Sequence, residues 1–170
     1  MARRSSTRPR LAAADRELVA AALEARQCAH APWSNFQVGA AARFGTAIVK
    51  GCNIEFDVYG LTNCAERTAV FAAYACNAAR QPLTAIAVVA DTPEPVSPCG
   101  ACRQVLYECG GPELRVLLAN LNGDVRVARM ADLLPGGFRL DPKTARRERR
   151  KPGGKNPGKA AAAKRASRNP

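Results

Sequence analysis

Three cysteines and one glutamate constrain this chain more than anything else in it: Cys64-Ala65-Glu66, and then Pro98-Cys99-Gly100-Ala101-Cys102. A fold that uses the two groups together must bring distant segments to one place. Cys99 and Cys102, three apart, share one face at the start of a helix and can grip one ion, while Pro98 suits a chain entering that helix. Cys64 is expected to open a second helix in the same way. Helix N-termini stabilise thiolates through free backbone N–H groups and the helix dipole, which offsets part of the charge of three sulfurs around a cation. Arg67 adds a further positive charge nearby.

Three protein ligands are the number found at catalytic zinc, where water takes the fourth tetrahedral position and its pKa falls to about 7; structural zinc is closed by four. Glu66, two residues past Cys64, can face that open position without binding the metal. A closed site needs a fourth ligand from Cys28, Cys52, Cys76, Cys109 or His30, and none has the local spacing to join the cluster. Thiols buried for packing alone are the plainer alternative, as is a helix-start carboxylate favoured by the dipole for Glu66. His30 is the only histidine, so His-dependent acid/base or triad chemistry has little material, and a structural or exposed role is expected for it.

The length of 170 residues suits about one domain, and no apolar run approaches the roughly 20 residues of a membrane span. Seven cysteines are an odd number, no secretory apolar region is evident, and three of them have metal-type spacing, so a reducing, cytoplasmic setting fits better than a disulfide framework. The net charge of +12 is unevenly spread. Residues 1–10 hold four Arg and no acid, and residues 143–170 hold eleven Lys or Arg against Glu148 alone, leaving 11 basic and 13 acidic residues in 11–142. The basicity therefore belongs to two appendages, 1–10 and 143–170, flanking a slightly acidic domain at 11–142. The C-terminal appendage is rich in Lys, Arg, Ala, Pro and Gly without an aromatic residue, a composition that cannot bury enough surface to fold alone. Both appendages are expected to be disordered. A solvated extension is one reading of them; weak, non-specific, salt-dependent attraction to a polyanion is the other. Asp15 and Glu17 come too early for a transit peptide.

Between the appendages the pattern alternates. Leu11–Ala29 has helical spacing in Leu18, Val19, Ala22 and Leu23; Phe36–Phe44 and Thr46–Cys52 read as a hairpin around Gly45. Cys64–Ala78 and Cys99–Cys109 are the two metal-bearing helices, Ala85–Ala90 is a buried strand, and Arg115–Ala119 and Val125–Arg129 flank an Asn122-Gly123 turn. Five strands with helices on both faces predict an α/β, three-layer α/β/α sandwich around a central mixed sheet.

The chain also resembles a known family, the small homotetrameric cytidine deaminases. The matching stretches are Ala31–Ala40, Gly51–Glu55, Tyr59–Thr62, Cys64–Ala69, Pro98–Val105 and Leu133–Pro135, in the family's order over roughly residues 15 to 140. The resemblance implies one Zn²⁺ per subunit on Cys64, Cys99 and Cys102, Glu66 as proton shuttle, ribose binding by Asn53 and Glu55, and Phe36 beside the pyrimidine. It also implies a homotetramer in which Phe138 reaches a neighbouring site. Without the resemblance, Asn53 and Glu55 read equally as strand-end residues making local hydrogen bonds, and Phe36 as core. Phe56-Asp57-Val58 departs from the family's usual Asn-Ala-Ser, which bears on substrate preference more than on chemistry, and Trp33 stands where Tyr is common.

The function so implied is hydrolytic deamination of free cytidine and deoxycytidine in pyrimidine salvage. Rivals are deamination of another aminated nucleoside of the blasticidin type, of cytosine in a polynucleotide, or a non-catalytic zinc-stabilised nucleic-acid-binding module. A 3′-phosphodiester would replace the hydroxyl expected at Asn53 and Glu55, and the core lacks the basic and aromatic track of a polynucleotide site.

Overall fold

Period-two alternation sorts the central strands between two faces. Ala40, Ala42 and Phe44 point into one core and Ala41 into the other; Ile86 and Val88 likewise oppose Ala85, Ala87 and Val89. In the computed structural model, which describes residues 11–140, the elements run α1 (Ala13–Arg26), β1 (Val38–Phe44), β2 (Ala47–Cys52), α2 (Ala65–Ala75), β3 (Leu83–Ala90), α3 (Gly100–Gly110), β4 (Arg115–Asn120), β5 (Val125–Arg129) and α4 (Met130–Leu133). The expected disordered appendages, 1–10 and 143–170, lie outside the described residues.

The sheet has the order β2-β1-β3-β4-β5. Every neighbouring pair is antiparallel except β3 with β4. A parallel pair needs a crossover, and here the crossover includes α3, which carries two of the three cysteines. Leu18 and Ala22 of α1 close one face over Ala41, Ala87, Val89 and Leu117. Ala69, Val70 and Ala73 of α2 and Leu106 of α3 close the other over Ala40, Ile86, Val88 and Leu118. The three-layer sandwich with a mixed five-stranded sheet is therefore as expected.

Small residues let the helices sit close. A Cβ added to Gly39 in β1 would stand 2.0 Å from the Ala22 carbonyl oxygen, and one added to Gly51 in β2 would stand 2.3 Å from the Ala69 nitrogen. Both positions therefore admit only a hydrogen, which fixes α1 against β1 and α2 against β2.

Element ends differ from the sequence expectation for local reasons. The chain after Arg26 tightens into i→i−3 bonds from Gln27, Cys28 and Ala29, so α1 stops before Ala29. Asn35 has φ 54, in the left-handed region, so β1 starts at Val38 rather than Phe36. Asn77, with φ 62, ends the run of α2 before Ala78.

Candidate active site

Cys64 and Cys99 are the N-cap residues of α2 and α3, both with extended backbone and neither with a side-chain cap hydrogen bond. The two helix starts thus aim their unsatisfied N–H groups at the same region. Cys102 follows in the first turn of α3 and is fully buried. The Sγ atoms of Cys64, Cys99 and Cys102 lie within 4.8 Å of one another, and among the described residues no other group of three or more His, Cys, Asp or Glu clusters in this way. Cys28, Cys52, Cys76, Cys109 and His30 stay out of it.

These residues fit a zinc ion. Cys64 Sγ and Cys99 Sγ are 3.8 Å apart, the edge length of a tetrahedron whose metal–sulfur bonds are about 2.3 Å. Arg67 Nη2 reaches Cys64 Sγ at 3.7 Å and the Thr62 carbonyl oxygen at 3.4 Å. The buried Arg67 Nε has no hydrogen-bond partner, so Nη2 is the atom through which the guanidinium reaches the cluster, as donor and as charge. The Cys64 thiol is brought down to about 5, first by its hydrogen bond with Cys102, then by Arg67 and Cys99 against the opposing effect of burial. Cys102 is pushed up by that same hydrogen bond, by burial and by the Glu66 carboxylate. Metal ligation requires thiolates, so loading an ion would expel protons from the cluster.

Glu66 lies in the first turn of α2 and is 4% exposed. Burial first, and then the charge at Cys64, raise its carboxyl above the usual carboxylate range, the direction that suits a group that must both take and give a proton near neutral pH. It faces a cavity of about 270 Å³ that also exposes Cys64, Cys99, Phe36, Asn53 and Glu55. That is just below the usual range for drug-sized ligands and suits a small one. The cavity is thus lined by Phe36, Asn53, Glu55, Cys64, Glu66 and Cys99, while Cys102 lies buried behind it and Phe138 is not part of its lining.

The polar pair at the end of β2 is more occupied than its sequence suggests. Asn53 Oδ1 accepts from Val38 N–H at 2.8 Å, and Asn53 Nδ2 donates to the Phe36 carbonyl at 2.9 Å. Glu55 Oε2 accepts from the Trp33 and Ser34 N–H groups, both at 3.1 Å, and Oε1 accepts from the Ser34 hydroxyl. The local-hydrogen-bond reading of these two residues thus holds alongside the pocket-lining one. Phe36 is 40% exposed and is not a core residue.

Sequence reasoning passed over four contributors. Ser34 lines the cavity and holds Glu55; a Ser two residues before Phe36 in a turn-forming stretch was the available signal. Ser97 and Val96 line the wall opposite, ahead of Cys99. Arg103 fixes that wall, donating to the Pro98 carbonyl at 2.8 Å, the Leu133 carbonyl at 2.9 Å and Ser97 Oγ at 3.0 Å.

Zinc with one free coordination position is characteristic of hydrolytic metalloenzymes, and that is the class this fold and centre define. Residues 12–118 match the family described as the cytidine and deoxycytidylate deaminase zinc-binding region, and the chain belongs to that family. It is similar to the cytidine deaminase of Halalkalibacterium halodurans, 51% identical over 122 residues, which are 71% of this chain and 91% of that protein. The cytidine deaminase of Mycobacterium tuberculosis is 44% identical over 121 residues, covering 71% and 86% respectively. The 1.6 Å crystal structure of cytidine deaminase from Burkholderia pseudomallei aligns with a TM-score of 0.69 at 52% identity, over 72% of this chain and 98% of that one. No helix among the described residues is long and apolar enough to cross a membrane.

Proposed function

We propose that the protein hydrolyses cytidine and deoxycytidine to uridine and deoxyuridine with release of ammonia, in pyrimidine salvage in the cytoplasm. The observation that carries this reading is a buried carboxyl, Glu66, opening into the same small cavity as two of three clustered thiols. Cys64, Cys99 and Cys102 would hold one zinc per subunit, which would supply a water acidified towards neutral pKa. Glu66 would accept a proton from that water and deliver it to N3 of the base as the water oxygen adds at C4. The same carboxyl then carries a proton to the exocyclic nitrogen, which departs as ammonia. Phe36 packs against the pyrimidine ring, and Asn53 and Glu55 take the sugar hydroxyls.

A free nucleoside fits better than a polynucleotide, because the sugar side of the cavity presents a carboxylate that would repel a phosphodiester. The exposed Phe71 and Tyr74 on α2, with Val58 and Leu61 ahead of it, support burial against further copies in a homotetramer, in which the exposed Phe138 completes a neighbouring site. The basic segments 1–10 and 143–170 add weak, salt-dependent polyanion attraction without taking part in turnover.

An ultraviolet assay over a panel of aminated nucleosides, with zinc quantified in the same sample, tests the reading. Ammonia release from cytidine at one zinc per chain is expected. A zinc-loaded protein inert on every pyrimidine nucleoside refutes it.

A further inference from the structure

Ser34 occupies a position between the two halves of the pocket. Its Oγ accepts from the Phe36 N–H at 3.0 Å and at the same time donates to Glu55 Oε1. The turn that makes this possible has Asn35 in the left-handed region, a conformation Asn adopts more readily than most residues, and its N–H is anchored to the Ala31 carbonyl at 3.0 Å. One hydroxyl therefore ties the backbone of Phe36 to the Glu55 carboxylate.

The hydrogen-bond tally on that side is short. A carboxylate offers about four lone-pair sites. Glu55 has given three of them to Trp33 N–H, Ser34 N–H and Ser34 Oγ–H. Asn53 has used its oxygen on Val38 and one amide hydrogen on Phe36. What remains is one acceptor site on Glu55 and, on Asn53, one donor and the second lone pair of Oδ1. A single hydroxyl, which both donates and accepts, satisfies the Glu55 acceptor and the Asn53 donor together. Without the Ser34 hydroxyl, Glu55 Oε1 would lose the contact that fixes its rotation and would present two loosely aimed acceptor sites. The Ser34 contacts also hold the Glu55 carboxyl below its ordinary range, keeping it ionised and accepting.

We propose that Ser34 is a positioning residue for the sugar: by bridging Phe36 and Glu55 it leaves one aimed acceptor, so that recognition of a ribose hydroxyl depends on the serine hydroxyl. This rests on reading the cavity as a nucleoside site.

Steady-state deamination of cytidine and of 2′,3′-dideoxycytidine by zinc-loaded full-length protein tests it. Ser34→Ala is expected to raise KM for cytidine about tenfold, as befits loss of a hydrogen bond to a charged group. Its kcat should stay within about twofold and KM for the dideoxy substrate within about threefold, because a substrate without the hydroxyl has little to lose. Ser34→Thr, which keeps the hydroxyl, should follow wild type; Ser34→Cys, of similar size and a weak donor, should follow alanine. Titration of the product uridine, followed by fluorescence of Trp33, the only tryptophan, should show the same ranking in Kd. An equal rise in KM for both substrates, an unchanged KM for cytidine, or threonine behaving like alanine overturns the proposal. Wild-type enzyme that fails to deaminate cytidine at all overturns instead the function on which it rests.

Discussion

Gly51 and Ala69 approach so closely that a Cβ on the glycine would meet the Ala69 backbone nitrogen at 2.3 Å. Ala69 lies one turn into α2 from Cys64 and Glu66. The spacing between β2 and α2 therefore decides where a metal ligand and the buried carboxyl sit. Gly51→Ala should move the start of α2, destabilise the fold by about 1–3 kcal/mol as overpacking does, and lower zinc content together with activity. Thermal unfolding and metal analysis check this; an alanine variant with full zinc and wild-type melting temperature contradicts it.

Replacing Glu66 with glutamine preserves size and hydrogen bonding but removes the proton carrier. Glu66→Gln should keep bound zinc and lose turnover by about 10²–10⁴-fold. Single-turnover assays alongside zinc quantification separate the two effects, and near-normal activity would remove Glu66 from the chemistry.

Removing one sulfur should act on the metal before anything else. Cys99→Ala is expected to reduce zinc occupancy well below one per chain while leaving the core intact, because Cys99 is exposed and is not one of the buried core residues. Full zinc retention in that variant would exclude Cys99 as a ligand.

Acid should act on the loop around Ser34 late. The Ser34 side chain first, then the Ser34 and Trp33 N–H groups, lower the Glu55 pKa. A depressed carboxylate contributes stability that is fully present above the unfolded glutamate value of about 4.3 and is lost as pH falls through the lower folded value. The docked conformation of residues 31–36 should thus persist throughout pH 5–8. Ser34→Ala should move the Glu55 pKa up towards the ordinary value, read by carbon NMR of its carboxyl; an unmoved titration contradicts the assignment of cause.

Much of the fold was legible because its signals are local. The hairpin around Gly45 marked β1 and β2, the continuous apolar run Ala85–Ala90 marked β3, and the Asn122-Gly123 turn marked the β4–β5 hairpin. Five strands and their flanking helices follow from such cues. The boundaries that shifted, at Phe36, Ala29 and Ala78, are governed by single backbone conformations at Asn35 and Asn77 and by a tightened last turn, none of which has a strong composition signal. In the site, Cys64, Cys99, Cys102 and Glu66 announce themselves by residue type and spacing. Ser34 and Arg103 do not. Ser34 bonds Glu55 across 21 residues through its N–H and hydroxyl, Arg103 bonds the Leu133 carbonyl across 30, and only the assembled fold brings those partners together.

The crossover between the parallel strands β3 and β4 has a consequence for metal retention. Cys64 precedes β3 in the chain while Cys99 and Cys102 follow it, so the three sulfurs come together only in the assembled sheet. An ion held by all three would tie loss of the strand order to its own release, because an unfolded chain keeps no preformed site.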